Sequence, residues 1–298
     1  MRRAVREIHY CMGTLLDLTL FAVHKQAARQ LLRRCFTEAR RLERLLSAHD
    51  PGSALSRLNR HAGHGPVRVE RELWHLLEAC AVFTRRTAGA FDITAGSVGA
   101  RAPQVAPAVP CSEARPAYHL DRPGWISLDA GVRLDLGGIG KGYAVDRLVA
   151  MLQAAEVRQA WVNFGDSSLY ALGGPPHGAG WPILVRGLDD DELIGLLQIN
   201  GAAISSSSSC RAEATSSDRH IRDPRTGLPV DRPCLSTIVA PTATLAEALS
   251  TAAVVSGAQW TDLLARFPGV EGLYMGPERL VRWSEGLRGR FHPYGGTA

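Results

Sequence analysis

Between Asp135 and Asp146 the chain reads DLGGIGKGYAVD: an acidic residue, a glycine-rich turn and a lysine that lead into an amphipathic segment. Gly137, Gly138 and Gly140 carry no Cβ to hold a ligand away, so successive backbone groups can face one pyrophosphate or one metal ion. Lys141 adds a point charge. Ile139, Val145, Leu148 and Leu152 recur at helical spacing, so the turn delivers a ligand to a helix N-terminus, where free N–H groups and the dipole favour an anion. Neither GxxxxGK[ST] nor GxGxxG is present, and a glycine turn capping an ordinary helix accounts for the same residues as well.

Three further segments carry possible chemistry. In HIRDPRTGLP, His220 to Pro229, the prolines and Gly227 set a tight turn while His220, Asp223 and Arg225 supply acid, base and charge on a rigid loop. In AEALSTA, Glu247 and Thr251 are four residues apart, so on a helix both project from one face and can offer oxygens to a hard cation. The plainer alternative is a solvated glutamate and a threonine bonded back into its own helix. AGAFDITAG places Asp92 in a short segment between glycines, which by itself says little.

The elements that must position these groups follow from periodicity. Leu16, Leu18 and Leu20 alternate with polar residues as in a half-buried strand. A helix is predicted over about Gln26 to Ala48, then a polar turn at HDPGSALSRLN, then a second helix marked by Leu73, Leu76, Leu77, Cys80 and Phe83 that runs out at Gly89. Strands are predicted at Trp125 to Leu128, Val132 to Asp135, Ala160 to Phe164, Leu169 to Leu172, Ile183 to Val185, Ile194 to Ile199 and Leu235 to Ala240, with a closing pair near Gly272 to Trp283. Helices are predicted over Ile139 to Ala154 and Thr244 to Ser256. Strands outnumber helices and often follow one another directly, which argues for an α+β fold of antiparallel sheets with packed helices. A Pro- and Ala-rich stretch at about 101–123 reads as a surface excursion within a single domain spanning 1–298.

Composition narrows the function classes. The formal charge is +5, but the arginines are spread along the chain without interleaved aromatics, so no nucleic acid is expected as a partner. No apolar run approaches the ~18 residues of a membrane span. Glu7, His9 and Asp17 interrupt any signal-peptide core, and the six cysteines form no CxxC pair. A cytoplasmic chain with reduced core thiols is the expectation.

Seven segments, taken in order, resemble the ApbE-type FAD:protein FMN transferases: MGT at Met12 to Thr14, DPGSALSRLN, GAFDITAG, DLGGIGKGYAVD, VNFGDSSLYALG, HIRDPRTGLPV and APTATLAEALSTA. The resemblance extends from about Met12 to Gly257 and implies a T-fold-related α+β fold. It also implies an enzyme that binds FAD and Mg2+ and transfers FMN to a threonine hydroxyl of an acceptor protein, releasing AMP. On its motifs, Met12, His49, Ala90, Phe91, Asp92, Asp135, Lys141 and Ile221 match FAD-contacting positions. The Gly138 carbonyl, Glu247, Ser250 and Thr251 match the metal-binding positions, and His220 is the candidate acceptor of the threonine proton. Departures from the family pattern are Glu247 where aspartate is usual, His49 where an aromatic residue, usually tyrosine, is expected, and the serine run Ser205 to Ser209 in place of a TSG-type turn. They leave two alternatives open, a FAD-binding protein without transfer and a FAD pyrophosphatase giving FMN and AMP.

Overall fold

Strands β1 (Arg3–Cys11) and β2 (Thr14–Ala22) form an antiparallel hairpin, and the predicted alternation is its inner face: Leu16, Leu18 and Leu20 are fully buried. Met12 and Gly13 alone make the reversal, with φ of 49° and 76°. Two successive left-handed residues give the two-residue turn whose twist suits paired strands. The structure, a computed structural model, describes residues 3–22, 24–97, 116–175, 180–189, 191–209 and 221–294.

Helix α1 (Lys25–Leu46) follows, and the short helix α2 (Ala54–Arg60) starts inside the predicted polar turn, because Ser53 caps it by accepting the Ser56 N–H. Strand β3 (Val67–Arg68) and helix α3 (Arg71–Arg86) lead to the AFDITAG segment. The Pro/Ala-rich stretch lies largely outside the described residues, and its end is strand β4 (Tyr118–Arg122), paired with β5 (Trp125–Leu128). After the glycine turn come α4 (Gly140–Ala154), β6 (Ala160–Phe164), β7 (Ser168–Leu172), β8 (Trp181–Arg186), β9 (Leu193–Ile199) and β10 (Ala202–Ser208). The chain closes with β11 (Leu235–Ala240), α5 (Ala243–Ser256), α6 (Trp260–Leu264), β12 (Glu271–Met275), β13 (Val281–Trp283) and β14 (Phe291–Pro293).

The main sheet has eight strands in the order β1-β2-β6-β7-β10-β11-β12-β13, with every neighbouring pair antiparallel. Three-stranded sheets β14-β9-β8 and β3-β5-β4 complete the α+β architecture expected from the sequence. One face of the main sheet packs on the helices through residues such as Leu18, Phe164, Ala203 and Ile238; the other packs on β8, β9 and β14 through Leu169, Ile204, Val239 and Leu273. That two-sided burial follows from the period-two alternation of each strand.

Two segments differ from expectation. Val132 to Asp135 keeps its alternating burial but is not a strand, because the Asn59 side chain takes both backbone groups of Leu134, donating to its carbonyl at 2.9 Å and accepting its N–H at 2.8 Å. Most of the serine run, by contrast, is a strand. Ser205 and Ser207 face α5, while Ser206 faces the opposite side and bonds Thr237 at 2.8 Å.

Candidate functional site

The glycine turn is organised by its own aspartate. Asp135 Oδ1 accepts the Gly137 N–H at 2.8 Å, and the Asp135 N–H donates to the Ile93 carbonyl at 2.8 Å, which ties the AFDITAG segment to the turn. Within that segment Asp92 Oδ1 accepts from both the N–H and hydroxyl of Thr94, each at 2.8 Å. Ala90 and Phe91 are buried beneath. A Cβ added at Gly138 would stand 3.4 Å from Thr251 Oγ1 and 3.6 Å from the Phe91 ring, so this residue sits in a cradle between the AFDITAG segment and α5.

Helix α5 meets α4 at their first turns. A Cβ on Gly142 would fall 2.3 Å from the Ala243 carbonyl oxygen, so only glycine admits this approach. Glu247, buried on α5, accepts the Gly142 N–H at 2.5 Å through Oε2 and lies 2.6 Å from Lys141 Nζ through Oε1. In return Asp146, on α4, accepts the N–H groups of Ala243 and Thr244 at 2.7 and 2.8 Å and the Thr244 hydroxyl. Burial, ahead of its other causes, pushes the Asp146 carboxyl above its ordinary range.

A seam of hydroxyls holds α5 where it meets β10. Ser250 donates its one hydroxyl proton to the Glu247 carbonyl at 3.0 Å, so Ser205 and Ser207, at 3.1 and 2.8 Å, must donate to it. Ser250 is fully buried and turned onto the sheet, beneath the group of residues around Gly138 rather than among them. Thr251, one residue on, lies 3.5 Å from Ser207 and looks toward Gly138.

The structure therefore brings together Gly138, Lys141, Glu247, Thr251 and Phe91, with Asp135 shaping the turn and Ala90 and Asp92 alongside. Met12 is held at the hairpin reversal, where its N–H donates to Glu43 Oε1 at 2.7 Å. His49 is exposed in the turn before α2; that turn is tied to the glycine segment by Arg133, which donates to the Ala48 carbonyl at 2.8 Å. Ile221 is buried in the main core at the start of the HIRDPRTG loop. In that loop Asp223 and Arg225 pair with each other at 2.7 and 2.8 Å, so they brace the turn rather than stand free as acid and base. His220 lies outside the described residues. Sequence reasoning assigned no part to Asp146, Gly142 or Glu43; an N-terminal cap across helices has a sequence signal only when both helices are known to touch.

Glu247, Thr251 and the Gly138 carbonyl are all hard oxygen donors beside a cradle that a Cβ would fill, a set suited to a magnesium-like ion. Among the described residues no three His, Cys, Asp or Glu side chains converge as a transition-metal site would require.

Residues 12–274 match the family model described as the ApbE family. The chain belongs to the ApbE family. Curated ApbE relatives include the FAD:protein FMN transferase of Treponema pallidum, 31% identical over 93% of this chain and 85% of its own length. That of Salmonella typhimurium is 28% identical over 87% and 80%. Among solved structures, the ApbE protein of Thermotoga maritima superposes with a TM-score of 0.80 at 24% identity, covering 97% of this chain and 99% of its own. The flavin transferase ApbE of Vibrio cholerae gives 0.81 at 19% identity, covering 97% and 100%. At those identities the structures establish the ApbE fold, and the curated relatives carry the name of an enzyme.

Proposed function

We propose that this chain is a magnesium-dependent FAD:protein FMN transferase that moves FMN from FAD to a threonine hydroxyl of an acceptor protein and releases AMP. The observation that carries this reading is the meeting of Gly138, Lys141, Glu247 and Thr251 at the first turn of α4. The threonine oxygen forms a bond to the FMN phosphorus, the bond from that phosphorus to the bridging oxygen breaks, and AMP leaves with the bridge. His220 takes the hydroxyl proton. Lys141 and the positive end of the α4 dipole stabilise charge on the phosphoryl oxygens, and positioning supplies much of the rate. A magnesium ion held by Glu247, Thr251 and the Gly138 carbonyl, with Ser250 behind them, would neutralise pyrophosphate charge. Asp135, Ala90, Phe91, Asp92, Met12, His49 and Ile221 border the flavin and its phosphates. No helix among the described residues is long and apolar enough to cross a membrane, and a cytoplasmic acceptor is part of the proposal.

One observation favours a second reading: both oxygens of Glu247 are engaged within the protein, as suits a FAD binder without transfer. The deciding experiment incubates the protein with FAD, Mg2+ and a threonine-bearing acceptor peptide. Covalent flavin on the peptide with equimolar AMP supports transfer, and its loss in His220→Ala supports the proton acceptor. FAD binding without AMP supports the binder, whereas FMN and AMP without labelled peptide would mean a pyrophosphatase.

A further inference from the structure

Glu247 is 4% exposed and Lys141 24% exposed, and their contact of 2.6 Å is the shortest route by which the buried carboxylate is neutralised. A buried carboxylate keeps a partner because an unpaired charge there is costly. The Gly142 N–H, the second partner, is fixed in the backbone of α4. Lys141 is different: its ammonium ends a flexible four-carbon stem, and its other hydrogen bond, 3.3 Å to the Gly137 carbonyl, lies on the turn immediately before its own helix. The ammonium can therefore leave Glu247 without disturbing the helix junction. It stands on the same carboxylate that, with Thr251 and Gly138, would hold a cation. A divalent ion and a tethered ammonium cannot share Oε1 at bonding distance, since like charges there repel. A pyrophosphate beside the start of α4 offers Lys141 more negative charge than one carboxylate does.

We propose that Lys141 is a tethered occupant of the cation site, which holds Glu247 until the pyrophosphate of FAD draws the ammonium away, so that tight metal binding follows FAD binding. This rests on the FAD and magnesium reading of the site given above. The length of Glu247 matters to it: an aspartate would retract the carboxylate by ~1.5 Å, one C–C bond, and lengthen this contact unless the lysine moved after it.

The test titrates Mn2+ alone, followed by the loss of its free-ion paramagnetic resonance signal, into wild type, Lys141→Met and Lys141→Gln, without acceptor. Glutamine keeps a hydrogen-bond donor to Glu247 and guards against a variant that fails to fold, checked by thermal melting. Without FAD, both variants should bind Mn2+ about tenfold more tightly than wild type, a coupling of ordinary size for linked sites. With FAD saturating, the difference should fall to about twofold or less, because the ammonium has then left Glu247 in wild type. Equal affinities without FAD overturn the proposal, and so does a tenfold difference that persists unchanged in FAD, which would make Lys141 a fixed nearby charge. Absence of Mn2+ binding in all three proteins, with and without FAD, overturns the metal reading itself. FAD affinity, read separately by flavin fluorescence without metal, tells that failure from loss of the nucleotide site.

Discussion

Asp146 and Glu247 are crossed caps: the carboxylate on α4 accepts the first amides of α5, and the carboxylate on α5 accepts a first-turn amide of α4. Each helix thereby finds, on the other, a partner for amides that have none within the helix itself. The two carboxylates are close enough for the charge of Glu247 to push the Asp146 carboxyl further upward. The junction that results is the floor of the proposed site.

Gly142→Ala is expected to separate this junction, since its Cβ would meet the Ala243 carbonyl at 2.3 Å. The backbone atom cannot yield as a side-chain tip could, so a loss of about 1–3 kcal/mol is expected in denaturant unfolding. FAD affinity should fall with it.

Stability should carry the signature of Asp146. Its carboxyl is held above the ordinary range by burial first, with bonds from Thr244 and Ala243 opposing and the Glu247 charge adding to the rise. The folded chain therefore keeps this proton to a higher pH than the unfolded chain. The contribution is full below the unfolded value of about 3.9 and is lost as pH rises through the folded one. Measured against Asp146→Asn, which does not titrate, wild type should lose melting temperature as pH climbs from about 4.

The serines beneath α5 should divide into two classes. Ser250→Ala strands the donors of Ser205 and Ser207 and should cost about 1–3 kcal/mol. The Ser168 hydroxyl is buried with no partner among the described residues, so Ser168→Ala should be neutral or stabilising by up to about 1 kcal/mol. Urea unfolding of the pair tests both at once.

Glu43 accepts the Met12 N–H at 2.7 Å and, at 3.6 Å, the Cys11 thiol. Glu43→Ala should loosen the hairpin reversal, raising amide exchange at Met12. Glu43→Gln, which keeps an acceptor, should restore much of the protection.

Cys11, Cys35, Cys80 and Cys234 are buried and reduced. Burial pushes the Cys11 thiol up to about 12 and that of Cys35 up to about 11, and raises Cys80 as well. Alkylation of the native protein near pH 8, mapped by mass spectrometry, should leave these three unlabelled, because the thiolate is the reactive form.

Much of this arrangement was legible in the sequence because it depends on local patterns. The alternation of Leu16, Leu18 and Leu20, the four-residue spacing of Glu247 and Thr251 and the glycines before Lys141 each specify their own geometry. What was not legible depends on two segments meeting. Leu134 lacks a strand partner because Asn59, far away in sequence, supplies its hydrogen bonds. The serine run, noted in the sequence only as standing in place of a TSG-type turn, is a central strand whose hydroxyls α5 and Thr237 satisfy. The engagement of Glu247 by Lys141 likewise needs the α4–α5 approach that Gly142 allows.

The hydroxyl seam has a consequence for the angle at which α5 is set about its own axis. An apolar seam resists separation but not small rotations, since dispersion has no preferred direction. Ser250, clamped between two strand hydroxyls and its own helix carbonyl, fixes that angle as a key fixes a shaft. At a side-chain radius of about 5–6 Å, a turn of ~20° would carry the Glu247 carboxylate ~2 Å along its arc, enough to part it from the Gly142 amide. The serines of β10 thus act as the angular stop for a helix whose working face lies about a quarter-turn away.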